Sequence, residues 1–394
     1  MKNKQWTLPM ILIVVSIFFV ALNMRPAVTA IGPLFNVLID SLQVSNTHLS
    51  LLTSIPVFCM GLFAPLAVPM QRKLGTKWSI GLLLLIIALA NGLRFGEGSY
   101  GILLVTSFAA GFAIAIIGPI LNAYIKEKFP SRFTSVVGVY SFGIGAGAAL
   151  SSCLTVSIYN TFNKSWTIAL GGWIVVAIVA LAIWLIVIPN EKSKAQETAT
   201  KSDESVRNPW RNKQAWTMLL FFGLQTSLFF ALMSWLPAML QDKGFSLEVA
   251  SAVLTFMSVV QLVGNIVITM LMEKWTNRIK WILSLSLLGI IGFSLLWIGT
   301  GSLLWFAVFI IGVVLSGLFP IGLLLPLDEA TNNEEANRWS SMVLSGGFMI
   351  SAILPLMIGV LYDQTGNHNV TYAIFILFVL GIIGTTWLLK KNNH

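Results

Sequence analysis

Long apolar runs separated by short polar breaks recur from Leu8 to the C-terminal end of this 394-residue chain. The hydrocarbon core of a bilayer, about 30 Å thick, needs about 20 apolar residues per crossing helix, and the runs have that length. They predict twelve spans: 8–36, 48–70, 78–95, 100–125, 133–158, 166–189, 214–240, 247–272, 280–298, 303–327, 339–361 and 370–389. A transmembrane β-barrel would show alternating segments of about ten residues instead. The pattern therefore predicts an all-α polytopic membrane protein.

One stretch interrupts the rhythm. Residues 190–213, NEKSKAQETATKSDESVRNPWRNK, are polar and charged and lie between Pro189 and the seventh apolar run. On either side the sequence repeats weakly at a nearly constant offset. Arg132-Phe-Thr-Ser-Val-Val and Arg338-Trp-Ser-Ser-Met-Val are 206 residues apart, Gly32-Pro33-Leu34 and Leu236-Pro237-Ala238 are 204 apart, and Gly118-Pro119 and Phe319-Pro320 are 201 apart. A shared period marks a duplicated architecture. The expected organisation is an N-terminal six-helix half at 1–189, a cytoplasmic linker at 190–213 and a C-terminal six-helix half at 214–394.

Composition agrees: 56% of residues are hydrophobic and 10% charged, against about 25% charged in an average soluble domain. The net charge of +9 would suit nucleic acid, but its position argues otherwise. Of the 24 Lys and Arg residues, 20 fall in loops on the side of the N terminus, and only Arg94, Lys164 and Lys243 fall on the other. Cytoplasmic loops carry this excess, so both termini are expected to be cytoplasmic, in a multi-pass protein of a bacterial-type plasma (inner) membrane. The first run follows Lys2 and Lys4 but is too long for a signal peptide and has no small-residue cleavage motif. Cys59 and Cys153 both lie in predicted helices, so neither a disulfide framework nor a metal site is expected.

The remaining basic residue is Arg25, 17 residues into the first run. A charge at the bilayer centre costs about 2.5–3.5 kcal/mol on insertion scales and usually serves function. The outer end of the span, near Asn36, is about 16 Å away at 1.5 Å per residue. Of the fifteen acidic residues, Asp40, Glu97, Asp242, Glu248 and Asp363 fall on the outer side. Glu127, Glu191, Glu197, Asp203, Glu204, Glu273, Asp328, Glu329, Glu334 and Glu335 fall on the cytoplasmic side. Arg25 thus has no fixed counter-ion in the sequence and stays charged at physiological pH. A substrate carboxylate, oxyanion or planar acceptor would complete it through the two-pronged geometry that suits arginine. Pairing with helix-end carbonyls is the structural alternative. His48, His368 and His394 sit at helix ends or the terminus, so no internal proton relay is visible. Uniport, exchange and substrate-borne proton symport all stay open.

Other polar residues within spans are candidates for lining the site. Gln225 and Trp235 in the seventh span correspond to the region of Arg25 in the first. Gln261 and Asn265, four apart on the eighth span, share a helix face. Asn23, Thr29 and Tyr140 are further candidates, although hydrogen bonding between helices is an equally common use of such residues. Pro26 should kink the first helix. Gly143, Gly145 and Gly147 should permit close helix packing. Arg94 and Glu97 read as a surface ion pair at the outer end of the third span, and the string from Asp328 to Arg338 as a solvated loop. The chain lacks a P-loop and a nucleophile elbow, so neither ATP-driven transport nor enzymatic activity is expected, and no cofactor is called for.

The segment Ala21-Leu-Asn-Met-Arg-Pro-Ala-Val-Thr-Ala-Ile-Gly-Pro-Leu34 resembles the CynX/NimT branch of the major facilitator superfamily, most specifically in its Asn-x-Arg-Pro element. So do Leu51-Leu-Thr-Ser-Ile-Pro-Val-Phe58 and the stretch from Gly223-Leu-Gln-Thr-Ser227 to Trp235-Leu-Pro237. The loop Pro69-Met-Gln-Arg-Lys-Leu-Gly-Thr-Lys77 is similar to that superfamily's signature between its second and third helices, with Gln71 and Arg72 where an acidic residue is usual. The resemblance implies a carrier of small polar or anionic solutes, with cyanate and 2-nitroimidazole the substrates tied to the family names; the chain is expected to act as a monomer. It also implies a site role for Arg25, Pro26 and Gln225. Two rival readings are an exporter of neutral nitroaromatic-like toxicants, with Trp235, Phe229 or Tyr140 stacking on the solute, and a non-transporting membrane sensor.

Overall fold

The computed structural model describes residues 7–96, 98–190, 207–331 and 333–391. Eleven helical runs among them are long and apolar enough to cross a membrane. The twelfth crossing is α4 (Asn46–Leu62), which by itself is only 17 residues long. A 3-10 turn at Ala64–Leu66 and the first part of α5 (Ala67–Leu93) extend it as far as Gly75. There φ reaches 74°, a left-handed value that glycine adopts without steric cost, and the chain turns into the third crossing. This is the loop whose sequence carries the superfamily-like signature.

The first crossing comes in pieces: α1 (Leu8–Asn23), the single turn α2 (Pro26–Thr29), a 3-10 turn at Gly32–Leu34, and α3 (Phe35–Leu42). Pro26 has no amide hydrogen to continue the helix, so the expected kink is a full break, with Arg25 at the head of α2. The crossings that follow are α6 (Tyr100–Lys128), α7 (Phe133–Thr161), the pair α8 (Trp166–Gly171) and α9 (Ile174–Val187), α10 (Lys213–Asp242), α11 (Leu247–Lys274), α12 (Arg278–Ile298), α13 (Ser302–Glu329), the pair α14 (Asn333–Ser351) and α15 (Ile353–Thr365), and α16 (Asn369–Lys391). Side-chain caps start several of them. Ser45, Ser246 and Asn277 accept from the backbone N–H of His48, Val249 and Lys280, satisfying amides that the first helical turn leaves open.

Within the first six crossings α1 packs on α7 and α9, and α5 and α4 both pack on α6; within the last six α10 packs on α14 and α16, and α13 on α11 and α12. The halves meet where α7 lies on α11 and where α4 lies on α14 and α15. The glycines of α7 serve close packing, as their spacing suggests. A Cβ on Gly147 would stand 2.3 Å from the Leu22 carbonyl oxygen, and one on Gly143 2.8 Å from the Cβ of Ala21.

At the end opposite the N terminus the halves are sealed. Both carboxylate oxygens of Asp363 accept hydrogen bonds from Asn46 and Thr47 at the start of α4. Asn160 donates to Glu248 at 3.1 Å, and the Phe35 and Trp235 rings lie 4.3 Å apart. Gly32 approaches α10 so closely that a Cβ there would fall 2.0 Å from the Met233 carbonyl oxygen.

The string from Asp328 to Arg338 is not the solvated loop its charges suggest. Its second part belongs to α14, Asp328 pairs with Arg278 at 3.1 Å, and Glu335 is fully buried, accepting from Arg207 and from Thr331. Arg207 also donates to the Glu329 carbonyl at 3.0 Å. The acidic side chain is drawn inward because these donors, including a guanidinium, replace its water. Residues 191–206 of the expected linker, with Glu191, Glu197, Asp203 and Glu204, lie outside the described residues, as do Glu97 and His394.

Candidate substrate site

The helix break presents Arg25 to the other half of the protein. Its guanidinium carbon lies 5.1 Å from the Phe229 ring centroid and 5.3 Å from that of Phe230, both on α10. The group makes no ion pair or side-chain hydrogen bond among the described residues, and the ionisable side chain that it feels electrostatically is the nearly buried Tyr140 phenol. Cation–π contacts of this kind are worth about 0.5–2 kcal/mol each. Arg25 is half-buried, and its two aromatic contacts leave the guanidinium N–H donors open to an acceptor.

The turn that carries Arg25 is held on three sides. Before it, the Asn23 amide donates to the carbonyls of Phe19 and of Val176 on α9, at 2.9 and 3.1 Å. After it, the Thr29 hydroxyl donates to the Arg25 carbonyl at 2.9 Å and lies 2.6 Å from the Ser151 hydroxyl on α7. Between them, Arg94 donates to the Ala27 carbonyl at 3.1 Å. Asn23 and Thr29, candidates for touching substrate, thus direct the Asn23 amide donors and the Thr29 hydroxyl to their own segment and to α9 and α7.

Arg94 differs most from expectation. In place of a surface residue, the structure has an arginine 1% exposed, bonded also to the hydroxyls of Thr106 and Ser107 on α6 at 3.2 and 3.4 Å. The sequence hides this because the partners are neutral and distant along the chain. Burial is set by α6 and α2, which cover the end of α5.

The other candidates separate into two groups. Gln225 is buried, one helical turn before Phe229 and on the same face of α10, with its amide donating to the Thr226 hydroxyl at 2.6 Å. Tyr140 reaches the same region, since its hydroxyl and the Met24 side chain both stand 3.6 Å from the position of a Cβ on Gly118. Trp235 does not join them. Its indole donates to the Pro355 carbonyl at 3.0 Å and packs on Phe35, Tyr362 and His368 in the sealed end. Gln261 and Asn265 are half-buried on α11, where the Asn265 amide oxygen is buried without a hydrogen-bond partner. Phe230, which sequence reasoning passed over, faces Arg25 as closely as Phe229 does.

Twelve crossings in two packed sets of six, with an arginine lacking a carboxylate partner among the described residues where the sets face each other, are the architecture of a two-halved membrane transporter. The chain belongs to the Major Facilitator Superfamily, whose family model matches residues 11–338. It is 28% identical over 366 residues to the cyanate transport protein CynX of Escherichia coli K12, covering 92% of this chain and 93% of that one. It is 26% identical over 366 residues to the 2-nitroimidazole transporter of the same organism, covering 91% and 90%. A crystal structure of the nucleoside transporter NupG superimposes with a TM-score of 0.77 over 96% of this chain and 99% of that one, at 12% identity. The chain is a transporter and not an enzyme.

Proposed function

We propose that this protein moves a small anionic or strongly electron-accepting solute by alternating access, with the Arg25 guanidinium as the group that meets the solute. One observation carries the reading: an arginine at a helix break between the halves, flanked by two aromatic faces and without a carboxylate. The names of the two Escherichia coli relatives support it, since cyanate is an anion and 2-nitroimidazole presents a planar nitro acceptor. Gln225 and Tyr140 are the polar neighbours proposed to complete the site, with Gln261 and Asn265 contributing from α11. The carrier works as a monomer of two halves joined by residues 190–213. By the distribution of Lys and Arg its termini face the cytoplasm, which makes the sealed end the external one.

A second reading, a carrier of neutral nitroaromatic compounds, draws on the Phe229 and Phe230 rings beside Arg25. Thermal-shift titration of purified protein separates the two, because a ligand that binds only the folded state raises its melting temperature. Stabilisation by cyanate and other small anions, lost in Arg25→Ala and weakened in Arg25→Lys, is the expected result. Stabilisation by neutral nitroaromatics that persists in Arg25→Ala selects the second reading, and stabilisation only by lipophilic cations rejects both.

A further inference from the structure

Arg94 is not among the residues proposed to meet the solute, yet it is a buried arginine bonded to the turn that carries Arg25. We infer that Arg94 is a positioning residue, whose guanidinium fixes the α2 turn and so aims Arg25 at the solute. The inference rests on the assignment of Arg25 proposed above.

A single helical turn such as α2 cannot hold itself, because its few internal hydrogen bonds do not offset the cost of ordering it. Its geometry must come from outside. The break at Pro26 removes one ladder donor, and α2 ends only two residues beyond Ala27. The Ala27 carbonyl, two residues from Arg25, accepts from Arg94 Nη2 at 3.1 Å. Donation from a charged group makes this bond stronger than a neutral one. The remaining Arg94 contacts orient the donor: Nε on the Thr106 hydroxyl and Nη2 shared with the Ser107 hydroxyl, both on α6. Around it the packing is of small side chains, with Ala27, Ala90 and Ala110 forming one buried cluster, so the turn, α5 and α6 approach closely. Arg94 Nη1 is buried without a partner. Such an incompletely satisfied cation is tolerated where its other bonds serve a purpose. A surface role for Arg94 would require exposure that the residue does not have.

Hydrogen–deuterium exchange of the full-length protein in detergent, followed by mass spectrometry, tests the assignment without a substrate. In Arg94→Met, peptides covering residues 25–34 should exchange about tenfold faster, with peptides from α10 and α12 unchanged, and Arg94→Lys should restore part of the protection. Unchanged exchange at 25–34, or an equal rise throughout the chain, overturns the proposal. If Arg94→Met fails to fold, the pair Thr106→Val and Ser107→Ala, which releases the guanidinium while keeping its charge, must give the same local rise; without it the proposal fails. Titration with cyanate, and separately with 2-nitroimidazole, should then show binding weakened about tenfold in the variant with loosened exchange. If wild-type protein binds neither probe while the local exchange effect holds, the solute assignment fails and the positioning role stands.

Discussion

Asp363 grips Thr47 twice, accepting from its backbone N–H at 2.9 Å and from its hydroxyl at 2.6 Å. The other carboxylate oxygen does the same with the backbone and side-chain amides of Asn46, at 3.0 and 2.8 Å. A carboxylate from the end of α15 thereby caps α4 across the halves, where the open amides of a helix start favour negative charge. Asp363→Asn turns one acceptor into a donor facing a donor and should destabilise the sealed end by about 2 kcal/mol. With Cys59 and Cys153 replaced, a cysteine at the buried position of Ser50 should then react with maleimide roughly tenfold faster or more.

Gly32 offers a steric test of the same seal. Its hypothetical Cβ meets a backbone oxygen, that of Met233 at 2.0 Å, and backbone yields less readily than a flexible side chain. Gly32→Val should leave each half folded but hold the two apart. Solute binding to the purified protein is expected to persist while flux into proteoliposomes falls by about tenfold or more.

Phe229 and Phe230 hold the Arg25 head group by their ring faces. Phe229→Leu keeps an apolar side chain of similar bulk and removes one ring, so solute affinity should fall roughly threefold to thirtyfold. Phe229→Tyr, which retains the ring face, should leave affinity near wild type. Isothermal titration with cyanate gives both numbers.

His368 lies between α15 and α16 and ties the sealed end to pH. Burial pushes its imidazole pKa down to about 4 from an ordinary 6.5, even though the Asp242 carboxylate stands 3.6 Å from Nε2. Trp235 and Tyr362 cover it, with Thr371 on Nδ1 at 3.2 Å, and Asp242 is already occupied by the Tyr362 hydroxyl at 2.7 Å. Between pH 6.5 and 4 the unfolded or opened chain binds a proton that the sealed form does not, so stability rises with pH across this window and is lost as pH falls. The melting temperature should drop between pH 6.5 and 4, and His368→Phe should flatten that part of the profile.

The crossings were legible because bilayer thickness writes itself as run length, and each run from Leu8 to Leu389 found a helix. The breaks were less so. Pro26 marked a kink, but whether it bends or interrupts a helix depends on the bonds that Asn23 and Thr29 make to α9 and α7 and that Arg94, at the end of α5, makes to the Ala27 carbonyl. Arg25 stood out by its isolation from every acidic residue, a property that a sequence displays directly. Arg94 did not, since its nearness to a helix end could not be told from exposure until α6 was laid over it. Trp235 shared a helix with Gln225 and Phe229 but lies two to three turns further along, within the seal, a separation that a count of corresponding positions does not register.

The solitary state of Arg25 also bears on the return stroke of the carrier. In the proposed cycle, reorienting empty takes the protein through a form in which the guanidinium is shut away from water on both sides with only two rings and a phenol nearby, at a cost of several kcal/mol. The proposed anionic solute would remove that barrier by cancelling the charge. Solute placed on the far side of the membrane should therefore accelerate efflux of labelled solute from the near side, and counterflow should outrun net uptake into empty vesicles.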